Sequence, residues 1–159
     1  MSYLRGEEDK EEGCPFCRAL EEIQSDERNL VLYRSTRVLA MLNKYPYNNG
    51  HILLVPFVHV PSLEDLPTEV MSELAALIQV VLRVLHSAYV PSGFNVGANI
   101  GETGGAGVPE HVHMHVLPRW SGDTNFMTTV AETRVLPEEL AVTYRRLRDL
   151  MDDFLKVGD

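Results

Sequence analysis

Hydrophobic and polar positions follow two different periods along the chain, and each period predicts one kind of element. Short apolar or alternating runs bounded by turn-forming residues predict strands. These runs are Leu30–Tyr33, Val38–Leu42, His51–Pro56, Phe94–Ile100 and His111–Pro118. Apolar residues spaced by three and four predict helices, at Arg18–Gln24, from Pro67 to before Tyr89, and at Pro137–Leu155. The order predicts an α+β fold, an antiparallel sheet of about five strands with one long helix and a C-terminal helix.

Length and composition favour one folded domain after a charged tail. The chain has 159 residues, of which 45% are hydrophobic, and this is enough for one core of ordinary size. Residues 1–13 are mostly charged, so we expect a solvated tail there. Residues 14–159 contain no repeat and no low-complexity linker, and we expect them to form a single domain.

The charge and the hydropathy exclude several classes of partner. A total of 14 Lys and Arg against 23 Asp and Glu gives a net charge of −9, which argues against nucleic acid, whose non-specific binding depends on neutralised phosphates. The apolar run Ile52–Val60 is interrupted by Pro56 and His59 and is shorter than the ~20 residues of a membrane span. Residues 1–13 lack the apolar centre of a secretory signal. We therefore expect a cytoplasmic protein with a small-molecule partner and no membrane.

Three histidines are the first candidates for chemistry. His111, His113 and His115 occupy alternate positions of one predicted strand, so their side chains share one face of the sheet. A polar face turned to water is the alternative, but histidine supplies a nucleophile, an acid or a metal ligand near neutral pH. The pattern favours a reactive site.

A glycine cluster comes directly before these histidines, at Gly101–Gly107. Successive amides in such a loop can bind an anion, although the loop lacks the Lys-Ser/Thr of a phosphate-binding P-loop and a plain hairpin loop is the alternative. Its position beside the histidines favours phosphate binding. A central imidazole beside bound phosphate indicates nucleophilic attack at phosphorus.

The two cysteines, Cys14 and Cys17, form a C-x-x-C pair. Redox chemistry requires a thioredoxin-like βαβ order that this chain lacks, and two buried thiols are a second alternative. Tetrahedral zinc would need two further ligands, most often histidines. Same-face residues on a strand are ~6.5 Å apart, so zinc at one end of the histidine strand would leave the middle imidazole available.

The run His111-Val-His-Met-His-Val-Leu resembles the motif of the histidine triad family, and Gly50–Pro56 and Asn99–Glu102 are also similar to it. The segments Asn43–His51 and Pro118–Phe126 resemble the branch that acts on diadenosine polyphosphates, which includes bacterial diadenosine tetraphosphate phosphorylases and fragile histidine triad hydrolases. The resemblance implies the family's antiparallel sheet, a nucleotide substrate and a homodimer.

The resemblance also implies roles for individual residues. His113 would attack the α-phosphorus and hold a nucleotidyl group as a phosphoramidate, and His115 would assist at the phosphate and the departing group. Asn43 would contact the ribose, and Asn99 a phosphate or bridging oxygen. The full set of substrate-binding residues is Asn43, His51, Asn99, Gly107, Val108 and His115. The implied zinc site is structural, with ligands Cys14, Cys17, His59 and His111.

Several alternatives stay open at this level. Many relatives place Ser or Thr just before the triad, where this chain has Gly107-Val-Pro-Glu110. His51 is compatible with a hydrogen-bonding role in the core or with the site, and contact of Arg119 and Trp120 with substrate is undecided. The acceptor is phosphate or water. Other functions are a nucleoside phosphoramidate hydrolase, a metallohydrolase whose catalytic zinc is held by the triad, and a zinc-stapled binding module without turnover.

Overall fold

The computed structural model describes residues 13–124 and 138–156. Three predicted features lie wholly or partly outside these residues. They are the tail except Gly13, the end of the Pro118–Phe126 segment after Thr124, and the helix start at Pro137. The helices are α1 (Pro15–Glu21), α2 (Thr68–Tyr89) and α3 (Leu140–Lys156), with short 3-10 turns at Ile23–Ser25 and Leu63–Asp65. The strands are β1 (Val31–Arg34), β2 (Val38–Leu42), β3 (Ile52–Pro56), β4 (Gly93–Gly97) and β5 (Met114–Arg119).

The five strands form one antiparallel sheet in the order β1-β2-β3-β5-β4. The central β3 is buried along its whole length, as its continuous apolar run predicts. One face of the sheet packs with α2 and α3 around Leu54 and Val116. The other face packs Leu53 and Val55 against Phe16 of α1. Because α1 is short, this second face is only partly covered, and the functional site lies there.

The long helix α2 begins after Pro67 and ends at Tyr89. The next residue, Val90, terminates it with a left-handed φ of 44°, and its N–H donates to the His86 carbonyl at 3.0 Å. Helix α2 is long enough to cross a membrane, and an 18-residue stretch of it, with a mean hydropathy of 1.4, is apolar enough to do so. Its buried residues nevertheless pack against the sheet and α3 as in a core helix. They are Val70, Leu74, Leu77, Val81, Val84 and Leu85.

Several predicted boundaries were wrong by one to three residues, and three of them concern elements around the site. Helix α1 begins at Pro15 instead of Arg18, which suits proline in a first turn, and β4 ends at Gly97 instead of Ile100. The last strand begins at Met114, opposite Leu54 of β3, because β3 ends at Pro56, which has no N–H for a further ladder bond. His111 and His113 therefore lie in an extended segment before β5, held by a hydrogen bond from the Val112 N–H to the Val60 carbonyl at 2.8 Å.

Candidate functional site

The predicted alternation of the histidine segment is confirmed although its first three residues, His111 to His113, lie before the strand. Val112 and Val116 are buried in the core shared with α2, and Met114 packs against that core. The imidazoles of His113 and His115 lie on the other face with ring centroids 4.9 Å apart. The three histidines thus form a row beside α1.

His113 carries its ring proton on Nδ1. This atom is 2.9 Å from the carbonyl oxygen of His111, and a carbonyl only accepts hydrogen bonds, so Nδ1 must donate. The lone pair is consequently on Nε2. Burial lowers the pKa of His113 below its usual value, which keeps the imidazole neutral and Nε2 nucleophilic at neutral pH.

His115 has the opposite tautomer, and a chain of hydrogen bonds sets it. The Tyr47 N–H donates to Nδ1 of His51 at 3.1 Å, so Nε2 of His51 carries the proton and donates to Nδ1 of His115 at 2.9 Å. The remaining proton of neutral His115 is on Nε2, a buried atom that makes no hydrogen bond with the described residues. Burial, and secondarily the nearby His113, lower the pKa of His115 to about 4.

His51 is therefore both a core residue and a part of the site. Its side chain is almost fully buried, and its Nδ1 also lies 3.3 Å from the Asn43 amide nitrogen. Asn43 in turn accepts a hydrogen bond from the Tyr45 N–H at 2.9 Å. The loop after β2 thus fixes the orientation of His51, and His51 fixes that of His115.

A pocket of about 540 Å³ opens in front of the histidine row. Five of the six predicted substrate-binding residues line it together with the predicted nucleophile His113, and these five are Asn43, Asn99, Gly107, Val108 and His115. His51 lies behind His115 instead of lining the pocket. Sequence reasoning missed a wall built by α1 and the segment after it. This wall contains Phe16, Ala19, Asn29 and Leu30. In the sequence, the only indication of it was the apolar Phe16 between the two cysteines.

The glycine loop offers fewer amides to an anion than its composition suggests. The N–H groups of Gly105 and Ala106 donate to the carbonyls of Glu102 and Gly101 within the loop. Gly104 is required, since a Cβ there would lie 2.2 Å from the Ile100 carbonyl oxygen. Gly107 and Val108 also line the pocket, and their N–H groups make no hydrogen bond with the described residues.

Cys14, Cys17, His59 and His111 come together as the resemblance implied. Their ligand atoms all lie within 4.8 Å of one another. Nε2 of His111 donates to the Pro56 carbonyl at 2.8 Å, so the lone pair is on Nδ1, 3.3 Å from the Cys14 sulfur. Nδ1 of His59 is 3.1 Å from the Cys17 sulfur. Burial, and then contact with Cys14, raise the pKa of the Cys17 thiol. Two sulfurs and two imidazole nitrogens in this arrangement can hold a metal ion.

This is the one such metal-binding group among residues 13–124 and 138–156. His111 is directed to the cysteines, whereas His113 and His115 use their Nδ1 atoms on a carbonyl and on His51. This arrangement supports a metal site at the cysteines over the alternative of a catalytic zinc held by the three triad histidines. The middle and last histidines are left for other chemistry.

Arg119 and Trp120 lie outside the pocket wall. The Arg119 guanidinium donates hydrogen bonds to the Asp123 carboxylate at 2.6 and 2.8 Å. These hydrogen bonds lower the pKa of the Asp123 carboxyl. Asp123 also accepts a hydrogen bond from Asn48 at 2.9 Å. Trp120 packs edge-on against Tyr89, with ring centroids 6.2 Å apart. These residues tie together the loops at one end of the sheet.

Comparison with known proteins agrees with this geometry. A model of the HIT domain matches residues 24–122. The AP-4-A phosphorylase of Mycobacterium tuberculosis is 46% identical over 123 residues, which are 77% of this chain and 63% of that protein. The asymmetrical bis(5'-nucleosyl)-tetraphosphatase of Schizosaccharomyces pombe is 34% identical over 93 residues, which are 58% of this chain and 50% of that protein. The chain thus spans less than two thirds of either relative.

The fold has close counterparts among solved structures. A zinc-bound histidine triad family protein of Mycobacterium smegmatis matches with a TM-score of 0.72 and 26% sequence identity, covering 92% of this chain and 98% of that chain. The predicted α+β fold with its antiparallel five-stranded sheet is confirmed.

Proposed function

Because the chain belongs to the histidine triad family, we propose that it cleaves dinucleoside polyphosphates at the α-phosphorus through a covalent nucleotidyl-histidine intermediate. Diadenosine tetraphosphate is the representative substrate, supported by the names of the phosphorylase and tetraphosphatase relatives. One observation carries the mechanism: the lone pair of His113 Nε2 and the proton of His115 Nε2 belong to adjacent imidazoles lining one pocket.

In the first step, Nε2 of His113 attacks the α-phosphorus and forms a P–N bond. The bond from phosphorus to the bridging oxygen breaks, and its electron pair leaves with the departing nucleotide. The imidazole gains positive charge, which the hydrogen bond from Nδ1 to the His111 carbonyl stabilises. His113 is thus positioned and polarised by its own backbone neighbour.

His115 would stabilise the negative charge that develops on oxygen. Its Nε2–H is buried and lacks a partner among the described residues, and an unpaired buried donor is costly unless a ligand accepts from it. The amides of Gly107 and Val108 are further donors at the pocket wall. Together these groups would favour the charged transition state over the substrate.

In the second step, an acceptor attacks the nucleotidyl phosphorus and the P–N bond breaks, which restores His113. Water as acceptor releases AMP and a proton, whereas inorganic phosphate releases ADP. The described residues carry no feature that selects between the two. The same intermediate would form from a nucleoside phosphoramidate, which is the alternative substrate class.

We also propose that the cluster of Cys14, Cys17, His59 and His111 binds zinc in a structural role. When bound, the ion would supply a crosslink between the start of α1, the segment after β3 and the segment before β5. The proposed chemistry is performed by His113 and His115. Phe16 packs against His113, with ring centroids 4.8 Å apart. The donor set of two thiols and two imidazoles supports zinc over harder metals.

A homodimer and a cytoplasmic location are parts of the same proposal. The outer strand β4 has one paired neighbour, and its residue Val96 is 42% exposed, so a second copy can pair with this edge. Light scattering would measure the assembly. The cytoplasmic location rests on the proposed nucleotide substrate, and cell fractionation would test it.

One activity assay tests the main proposal. Purified protein is incubated with diadenosine tetraphosphate, with and without inorganic phosphate, and the nucleotides are separated by chromatography. ADP with ATP identifies phosphorolysis, and AMP with ATP identifies hydrolysis. Turnover of adenosine phosphoramidate alone would favour the alternative substrate class. Tight binding of AMP without turnover of either compound would contradict the enzyme proposal and favour a binding module.

A further inference from the structure

One wall of the pocket has a role that the cleavage mechanism leaves unassigned. If His113 attacks the α-phosphorus as proposed above, the nucleoside of the transferred group must occupy the rest of the same pocket. Apolar side chains of α1, β2 and β3 line that space, namely Phe16, Ala19, Met41 and Leu53. Such a surface suits the faces of a flat base, but it does not distinguish one base from another.

Asn29 places a polar group in this wall, and Glu22 fixes its orientation. The Asn29 amide nitrogen donates to the Glu22 carboxylate at 2.9 Å. Arg28 also binds this carboxylate, at 2.5 Å. The hydrogen bonds from Asn29 and then Arg28 lower the pKa of Glu22, so the carboxylate is ionised and only accepts. The amide of Asn29 therefore cannot flip, and Oδ1 is directed away from Glu22.

The backbone around Asn29 is equally fixed. Its N–H donates to the Ser25 carbonyl at 2.9 Å, and the Val31 N–H donates to the Asp26 carbonyl at 2.8 Å. Between them Leu30 has a left-handed φ of 58°, an unfavourable conformation for a leucine that the surrounding contacts must maintain. Arg34 binds both Asp26, at 2.7 Å, and the Ala19 carbonyl, at 2.6 Å. The turn is thus tied to α1, and the acceptor on Asn29 has a defined position.

We propose that Asn29 reads the base, with its Oδ1 accepting a hydrogen bond from the exocyclic amine of a 6-aminopurine. A 6-oxopurine would place its own acceptor opposite Oδ1, and neither oxygen would have a donor. A site built for one hydrogen bond rejects the analogue that leaves it unpaired. The pocket therefore prefers adenine nucleotides to those of hypoxanthine or guanine.

Two cationic side chains lie on the same wall, and they would favour a 6-oxopurine such as guanine. A preference for 6-oxopurines is therefore the competing outcome. Arg18 and Arg28 also line the pocket, and a guanidinium reads the oxygen and ring nitrogen of guanine. The Arg28 side chain is 68% exposed and is bound to Glu22, so we assign it to holding that carboxylate. Tighter binding of a 6-oxopurine would overturn the assignment of Asn29.

The test compares AMP and IMP, which differ in the group at position 6 of the purine and in the proton that IMP carries on N1, by calorimetry on the full chain with its metal. We expect AMP to bind at least about tenfold more tightly than IMP. In Asn29→Leu this ratio should fall to about twofold, mainly by weaker AMP binding. In Glu22→Gln it should also fall, because the glutamine side chain can donate or accept and the Asn29 amide can then flip. Gln24→Leu, at an exposed amide outside the pocket, is the matched control and should keep the wild-type ratio.

The outcomes separate this proposal from the function on which it rests. Equal binding of AMP and IMP by the wild type, or an unchanged ratio in Asn29→Leu, overturns the role of Asn29 while cleavage of diadenosine tetraphosphate still supports the function. Binding of neither nucleotide together with no turnover overturns both. Circular dichroism of each variant checks that the fold is kept.

Discussion

Nε2 of His51 donates a hydrogen bond to Nδ1 of His115 at 2.9 Å, and this contact decides which nitrogen of His115 faces the substrate. The donor is fixed from the other side of the ring by the Tyr47 N–H. A loop amide outside the triad thus controls the protonation of a triad nitrogen. His51 is a positioning residue that acts through His115.

Replacing His51 should lower the rate of chemistry more than the affinity for nucleotide. In His51→Ala, Nδ1 of His115 loses its donor, and either tautomer becomes accessible, so we expect kcat to fall by about tenfold to a hundredfold. The Kd for AMP should change by less than about threefold. Nitrogen-15 NMR of the histidine rings would show mixed tautomers at His115. A single unchanged tautomer with wild-type kcat would contradict the role of His51.

Replacing His113 should abolish turnover while the pocket still binds product. We expect His113→Ala to lose activity by about a thousandfold or more, because it lacks the attacking nitrogen. Wild-type protein quenched during turnover of labelled substrate should carry an acid-labile nucleotidyl group, and the variant should carry none. His86→Ala, at an exposed histidine on α2, is the control that should behave as wild type. Substantial activity in His113→Ala would exclude the covalent step.

Metal removal should reduce stability before it affects chemistry. The four proposed ligands join α1 to two distant segments, so we expect one zinc per chain by elemental analysis and a Tm lower by on the order of 5–10 °C after chelation. Cys14→Ser should have a similar Tm in the presence of zinc. A chelated protein that keeps its Tm and loses activity in proportion to metal would indicate a catalytic ion instead.

Acid should destabilise the fold through His115. This ring packs against His113 and His51 and near Tyr47, and its pKa is lowered to about 4 from 6.5. Between these values the unfolded chain binds a proton that the folded chain does not, so the stabilising contribution is complete above pH 6.5 and is lost as pH falls toward 4. Allowing for solvent screening, we expect a loss of roughly 1–2 kcal/mol.

Urea unfolding at several pH values between about 7.5 and about 4.5 measures this loss. The variant His115→Gln has no titrating ring and should show a shallower decline over the same range. Any contribution from metal release at low pH is common to both proteins, so the difference between the two curves reports His115. Parallel curves would show that His115 titrates normally in the folded protein.

Local sequence patterns were sufficient to predict the fold and to place the reactive histidines on one face of the sheet. The period of two in the histidine segment placed His113 and His115 together, because side chains alternate even in an extended segment outside the ladder. The spacing of apolar residues by three and four predicted helix α2 in the same way. The exact start of β5 could not be predicted, since it depends on where the partner strand reaches Pro56.

The tautomers and the base-facing wall could not be predicted from sequence. Each tautomer depends on a contact between distant or backbone groups, such as the Tyr47 N–H with His51 or the His111 carbonyl with His113. The position of Asn29 depends on Glu22 and on the left-handed Leu30, and a leucine in the sequence does not indicate a left-handed backbone position. Tertiary contacts specify these features, and local propensity does not.

Phe16 is separated from each of the two cysteines by no more than one residue, and its ring packs on His113. The two cysteine ligands of the metal cluster and the support of the nucleophile therefore share the first turn of α1 and the residue that caps it. Substitutions in this turn cannot be selected for one property without altering the other. A chain that lost its cysteines would have to rebuild the packing beneath its nucleophile, and a designer who transplants the reactive histidines to another scaffold would have to move this turn with them.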